Sequence, residues 1–138
     1  MPRENLRKTG SQMEEAAAAY LTERGVTVLE RNFRSRTAEI DIVGKQDGTL
    51  LFIEVKARAE SQKSGTAQEA VGTAKQKRIC RCADYYMHSK GIDPYRTGIR
   101  FDVVAITMRE DKEPEIRWIK NAFNYTAYSN SKPHWRVW

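Results

Sequence analysis

The sequence predicts an α/β fold, a central sheet with helices packed against it, on three observations. Stretches with helical and strand character follow one another as helix, three strands, helix and two strands. An Asp47-Gly48 turn joins two apolar runs and marks a hairpin within the three-strand block. With 138 residues, 40% of them hydrophobic and 30% charged, the chain suits one folded core rather than a disordered polymer.

Each element has its own signal. Residues 1–9 read as a short basic arm, 10–124 as the folded domain and 125–138 as an aromatic-rich tail. The first helix is expected over Ser11–Glu23, opened by the capping box Ser11-x-x-Glu14 and closed by Gly25. "VTVLERNF" reads as the first strand, with Val26, Val28 and Glu30 on one face. "AEIDIV" and "TLLFIEVKA" are the hairpin strands. A polar loop precedes a second capping box, Thr66-x-x-Glu69, and a long helix to about Lys90 with the apolar stripe Val71, Ile79, Cys82, Ala83 and Tyr86. "IRFDVVAITM" and "EIRWIK" complete the sheet.

The net charge of +6 favours polyanionic partners, nucleic acid first and anionic membrane second. No apolar leader-like run follows the polar N-terminus, and "AAAAYL" and "LLFI" are far too short to span a bilayer. A cytoplasmic location without a membrane partner is therefore expected. Cys80 and Cys82 are too close along one helix to face each other, which argues against a mutual disulfide or a shared zinc. His88 and His134 are isolated and read as surface residues.

The hairpin carries charges where strands usually bury side chains. By alternation Glu39 and Asp41 share one face and Ile40 and Ile42 the other, while Phe52, Glu54 and Lys56 share a face of the next strand. Counting outward from Asp47-Gly48 pairs Gln46 with Thr49, Val43 with Phe52, Asp41 with Glu54 and Glu39 with Lys56. Two directly opposed carboxylates are unfavourable. A divalent cation removes the repulsion, because Asp and Glu oxygens suit Mg²⁺ and related ions. A lysine beside such a pair can orient an attacking water or offset charge on phosphorus. Its carboxylate neighbours favour the charged ammonium, so loss of its proton would require the metal's field or desolvation. The bland alternative is an exposed sheet face with ordinary salt bridges, Glu39 pairing with Lys56.

"AEIDIV" followed by "FIEVKAR" resembles the core of the PD-(D/E)xK nuclease superfamily, in which an acidic residue on one strand precedes D/E-x-K on the next. More closely, the stretches "TGSQMEEAAAAYL", "RNFRSRTAEIDIV", "LLFIEVKAR", "AVGTAKQKRI", "RFDVVAI" and "WIKNAF" are similar to the YraN-like family of small bacterial proteins. The resemblance implies a restriction-endonuclease-like αβββαβ core, a central mixed sheet flanked by helices. It implies that Asp41 and Glu54 hold Mg²⁺ or Mn²⁺, that Lys56 is catalytic, and that Glu14 matches a helix glutamate which Holliday-junction resolvases use as a further metal-site carboxylate. Gln68 resembles a polar residue that some superfamily members direct at the site. Ala38 departs from the glycine the family usually carries before "EID".

The structural alternative for Glu14 is the capping box, and for Gln68 an ordinary polar first turn. Asp102 reads as a structural partner of Arg100 or another base. Lys75, Lys77, Arg78 and Arg81 form either a solvated helix face or phosphate contacts. The aromatic tail is expected to dock on its own domain or on a second copy, making a homodimer, more than to stack on bases. The expected function is metal-dependent phosphodiester hydrolysis, with DNA the favoured substrate and branched or flapped structures suggested by analogy. The alternative is a non-catalytic nucleic-acid-binding module on the same fold.

Overall fold

The computed structural model describes residues 3–62 and 71–125. In chain order these form α1 (Arg3–Glu23), β1 (Thr27–Arg34), β2 (Glu39–Gln46), β3 (Thr49–Ala59), a short 3-10 turn (Glu60–Gln62), α2 (Thr73–Ser89), β4 (Gly98–Met108) and β5 (Glu115–Phe123). The strands make one sheet in the order β1-β2-β3-β4-β5, parallel between β3 and β4 and antiparallel elsewhere. The parallel pair requires a crossover, and α2 lies within it. The result is the expected restriction-endonuclease-like core, extended by β5.

The helices cover opposite faces of the sheet. Met13, Ala17, Ala18 and Leu21 of α1 pack on Ile42, Leu51, Ile53, Val104 and Ile106. Ile79, Cys80, Cys82, Ala83, Tyr86 and Met87 of α2 pack on Val43, Leu50, Phe52, Phe101 and Val103. β3 is buried on both sides, which explains the unbroken apolar run "LLFI". Every member of the expected stripe, Val71, Ile79, Cys82, Ala83 and Tyr86, is buried, but Val71 precedes the Gly72 N-cap and so lies outside α2, against the expected continuous helix through it; both cysteines are free thiols in the core. Asp47 and Gly48 adopt φ values of +49° and +80°, the left-handed pair a two-residue hairpin turn demands.

Three expectations require correction. α1 begins at Arg3, so most of the segment read as an arm belongs to this helix, and Ser11 and Glu14 lie in its interior rather than at its start. β1 carries a bulge: Val28 pairs with Gly44 and Glu30 with Val43, so Leu29 is extra and half-exposed, and the simple alternation read for this strand fails. β5 runs three residues beyond "EIRWIK", through a second irregularity. The second capping box, Gln68, and the tail residues Tyr128, Lys132, Trp135, Arg136 and Trp138 lie outside the described residues.

Asp102 holds the β5 irregularity in place. Its carboxylate is fully buried and accepts both Nε and Nη2 of Arg100 at 2.9 Å, the Trp118 indole N–H at 2.9 Å and the Asn121 amide at 2.9 Å. Asn121 has a φ of +55°, so that amide points to the carboxylate from a left-handed residue within the bulge. Beyond the bulge, Ala122 and Phe123 return to the core under α2. Tyr125 then stacks on Phe101 with ring centroids 6.0 Å apart and donates its hydroxyl to Asp84 on α2, so the first residue of the tail docks on its own domain. Replacing Asp102 with Ala would strand the Arg100 guanidinium and the bulge amide. Breaking a buried ion pair in this way costs about 3–5 kcal/mol. Urea unfolding of Asp102→Ala is expected to show a loss of that size, and a loss below about 1 kcal/mol would contradict this account.

Candidate active site

The site arises where two strands part. β2 and β3 pair from Gln46–Thr49 down to Ile42–Ile53. Past that point β2 stays with β1, through Phe33–Ile40 and Arg34–Glu39, and β3 stays with β4, through Glu54–Val103 to Ala59–Met108. The two strands therefore fork at Asp41 and Glu54. The expected pairs Gln46–Thr49 and Val43–Phe52 are present, whereas Asp41 and Glu54 are neighbours across the fork rather than ladder partners. Asp41 takes the place of the missing ladder bond, its Oδ2 accepting the Val55 amide at 2.8 Å. The alternation of β2 also breaks here: Ile42 belongs to the core under α1 and Ile40 to the core under α2, not to one shared face.

Asp41 is held in an environment hostile to charge. Burial, followed by the negative charge of Glu54, pushes its carboxyl from 3.8 up to about 7, and Glu14 and Glu39 add to the effect while the Val55 hydrogen bond opposes it. Glu54 is buried, and Lys75 Nζ lies 2.6 Å from its Oε1. Lys75 occupies the first turn of α2, three residues past the Gly72 N-cap. A cation there opposes the helix dipole, so its place is explained by Glu54. Lys75, read as either part of a solvated helix face or a phosphate contact, meets the Glu54 carboxylate.

Lys56 follows Glu54 on the same side of β3, half-buried, and makes no ion pair among the described residues. Glu39 pairs with Arg34, its neighbour across the β1–β2 ladder, at 3.2 Å rather than with Lys56. Glu14 is half-buried on α1, four residues before the core residue Ala18. Its interior place removes the capping-box explanation, and its charge reaches Asp41. Lys77, Arg78 and Arg81 lie exposed on the outer side of α2, and Arg81 faces the β1–β2 turn. Among the described residues no three His, Cys, Asp or Glu side chains converge closely enough to hold a metal ion on their own. Asp41 and Glu54 are the two hard-oxygen donors at the fork, a number that suits an ion which keeps water and substrate oxygens as its other ligands.

Residues 13–106 match the family described as Uncharacterised protein family UPF0102, a span that contains Glu14, Glu39, Asp41, Glu54, Lys56 and Lys75. The chain belongs to this family. It is 45% identical over 120 residues to a UPF0102 protein of Syntrophus aciditrophicus, covering 87% of this chain and 91% of that one. A UPF0102 protein of Chlorobium phaeobacteroides is 48% identical over 107 residues, 78% of this chain and 82% of the other. A third, from Symbiobacterium thermophilum, is 41% identical over 118 residues, 86% and 98% of the two chains. These matches, with the fold, identify a bacterial UPF0102 (YraN-like) chain on the PD-(D/E)xK, restriction-endonuclease-like scaffold. Among its described residues no helix is long and apolar enough to cross a membrane.

Sequence reasoning missed two features of this UPF0102 chain. Lys75 gave no signal, because the helix was expected from Thr66 and only its start at Thr73 puts this lysine in the first turn. Asp84, buried with its carboxyl pushed up to about 6 by burial, gave no signal beyond an acidic residue inside the apolar stripe of α2.

The elevation of Asp41 has a calculable consequence. Its folded value of about 7 lies above the ordinary 3.8, so the folded state binds more protons between those values. Stability is therefore lost as pH rises through that window, and the full cost is present above about pH 7. Asp41→Asn keeps the acceptor for Val55 and removes the charge. In chelator it is expected to be more stable than the parent by on the order of 2 kcal/mol at pH 8, about 5 °C in Tm, with little difference near pH 4. Thermal melts at the two pH values check this, and an equal gain at both would refute the electrostatic origin.

Proposed function

We propose that this protein is a Mg²⁺- or Mn²⁺-dependent endonuclease that hydrolyses phosphodiester bonds in nucleic acid, with DNA favoured and branched or flapped structures as candidate substrates. The observation that supports the reading is the fork itself, where Asp41 neighbours Glu54, two residues before Lys56 on β3, and has its carboxyl pushed up to about 7. Asp41 and Glu54 would hold the ion, which would supply positive charge at the scissile phosphate and acidify water beside it. Asp41 is already aimed by the Val55 amide, so little reorganisation separates it from a ligating position. Lys56, carrying its proton, would donate to a phosphate oxygen and orient the attacking water. Lys75 fixes the rotamer of Glu54 and offsets its charge. Glu14 adds negative charge on the α1 side, which strengthens attraction for a cation.

A second reading, a nucleic-acid-binding module without turnover, is favoured by one observation: Lys75 already neutralises Glu54, so part of the negative charge a cation would answer is met from within the chain. The readings separate experimentally. Labelled DNAs and RNAs, linear and branched, are incubated with Mg²⁺, Mn²⁺ or chelator. Cleavage is expected only with metal, and Asp41→Asn, Glu54→Gln and Lys56→Ala are each expected to slow it by at least about 100-fold. Metal should also reverse the stability order of the parent and Asp41→Asn, because a ligand of the folded state raises Tm only where it binds. Cleavage that survives chelator, or survives all three substitutions, refutes the assignment. Metal-independent melts with no cleavage establish the binding module.

A further inference from the structure

We infer that the groove between the β1–β2 turn and α2 is a subsite for a single-stranded nucleic-acid flank, taking its phosphates on arginines and stacking a base on Tyr85. This inference rests on the nuclease reading and specifies which part of the substrate the fork's neighbour would hold. The groove is lined by Arg34, Ser35, Arg36, Thr37, Arg81 and Tyr85. The side chain of Arg34 is 76% exposed, and Arg36 and Arg81 are exposed as well. Arg81 and Tyr85 are four residues apart on α2 and so project on one side of the helix.

Tyr85 is the feature that distinguishes this groove from an ordinary basic surface. Its residue is 55% exposed although large and apolar, and its ring leans on Phe33 with centroids 6.0 Å apart. Phe33 is itself fixed edge-on against Tyr86 at 5.1 Å. A supported tyrosine ring among guanidinium groups offers a stacking platform beside phosphate-binding charge, the pairing that single-strand recognition uses. A base within a duplex has both faces occupied, so the platform selects an unpaired flank.

The turn that carries Arg36 is pinned by hydrogen bonds. The Ser35 amide donates to the Ala38 carbonyl at 2.9 Å, and the buried Cys82 thiol reaches the same carbonyl at 3.5 Å and that of Phe33 at 3.9 Å. Arg34 meets Glu39, which links the groove to the acidic fork. From Ala38 to Asp41 the chain advances three residues, roughly 10 Å along an extended strand. That span corresponds to roughly three stacked nucleotides at the rise of one strand.

The test uses the full chain in chelator, where nothing is cut. Fluorescence anisotropy with a labelled oligothymidylate measures affinity across a salt series. Tyr85→Ala is expected to weaken binding about tenfold and Tyr85→Phe to leave it close to the parent. The double variant Arg36→Gln, Arg81→Gln is expected to flatten the slope of log affinity against log salt by about 1.4. All three positions are exposed, and thermal melts confirm that the variants fold. Unchanged binding in Tyr85→Ala overturns the subsite, as does an unchanged slope in the double variant or tighter binding to blunt duplex than to the single strand. Anisotropy thus judges the groove and metal-dependent cleavage judges the fork, so the failure of either is read separately.

Discussion

The organisation of this molecule depends on the parting of β2 from β3 at Asp41. Up to that residue both strands belong to one antiparallel ladder, and beyond it each follows its other neighbour. Parting leaves ladder groups without partners, and an unpaired buried amide is costly. The Asp41 carboxylate takes the Val55 amide and relieves part of that cost. The same geometry places an ionisable group in a confined space beside Glu54. Strand divergence and carboxylate strain are therefore one feature. The sheet could not open here with an apolar residue at position 41 without leaving that amide to water or to nothing.

The rest of the fold keeps this opening fixed. β3 is packed from both sides by helices and paired along its whole length with β4, so its branch of the fork cannot follow β2. β2 is tied to β1 beyond the fork, and the β1–β2 turn is tied to α2 through Cys82. α2 in turn sets Lys75 on Glu54. Asp102 acts at a distance: it fixes the bulge that returns Ala122, Phe123 and Tyr125 to the face on which α2 lies.

Much of this was legible in the residues. Asp47-Gly48 sets the hairpin register because only residues tolerant of positive φ close so tight a turn, and the pairs Gln46–Thr49 and Val43–Phe52 follow by counting. Counting fails at Asp41 because it assumes that a ladder continues, and what ends this one is the competing attachment of each strand to a third partner. The start of α1 was misread for a local reason. Ser11-x-x-Glu14 satisfies a capping motif and Gly10 looks like a break, yet Arg3–Lys8 are mostly good helix formers and the helix continues through them. The ion pair of Lys75 with Glu54 was invisible to strand counting because its members lie 21 positions apart and meet only through the crossover.

The electrostatics explain how a carboxylate cluster sits in a chain of net charge +6. Left uncompensated, Glu39 and Glu54 would repel any phosphate that approached the fork. Each is met by a cation from a different element, Arg34 from β1 and Lys75 from α2. Glu15, one residue from Glu14, is met by Arg31 at 2.6 Å. Asp41 is treated differently: its carboxylate accepts the Val55 amide, and burial and its acidic neighbours raise its carboxyl toward neutrality. Glu39, Glu54 and Glu15 thus each meet a cation, whereas Asp41 meets none among the described residues. A cation arriving there would relieve the largest remaining electrostatic cost in the fork, whereas one arriving at Glu39 or Glu54 would first have to displace a partner already in place. Were a cation bound at the fork, Asp41 and Glu54 would be the residues to hold it, with Lys75 already offsetting part of the charge on Glu54.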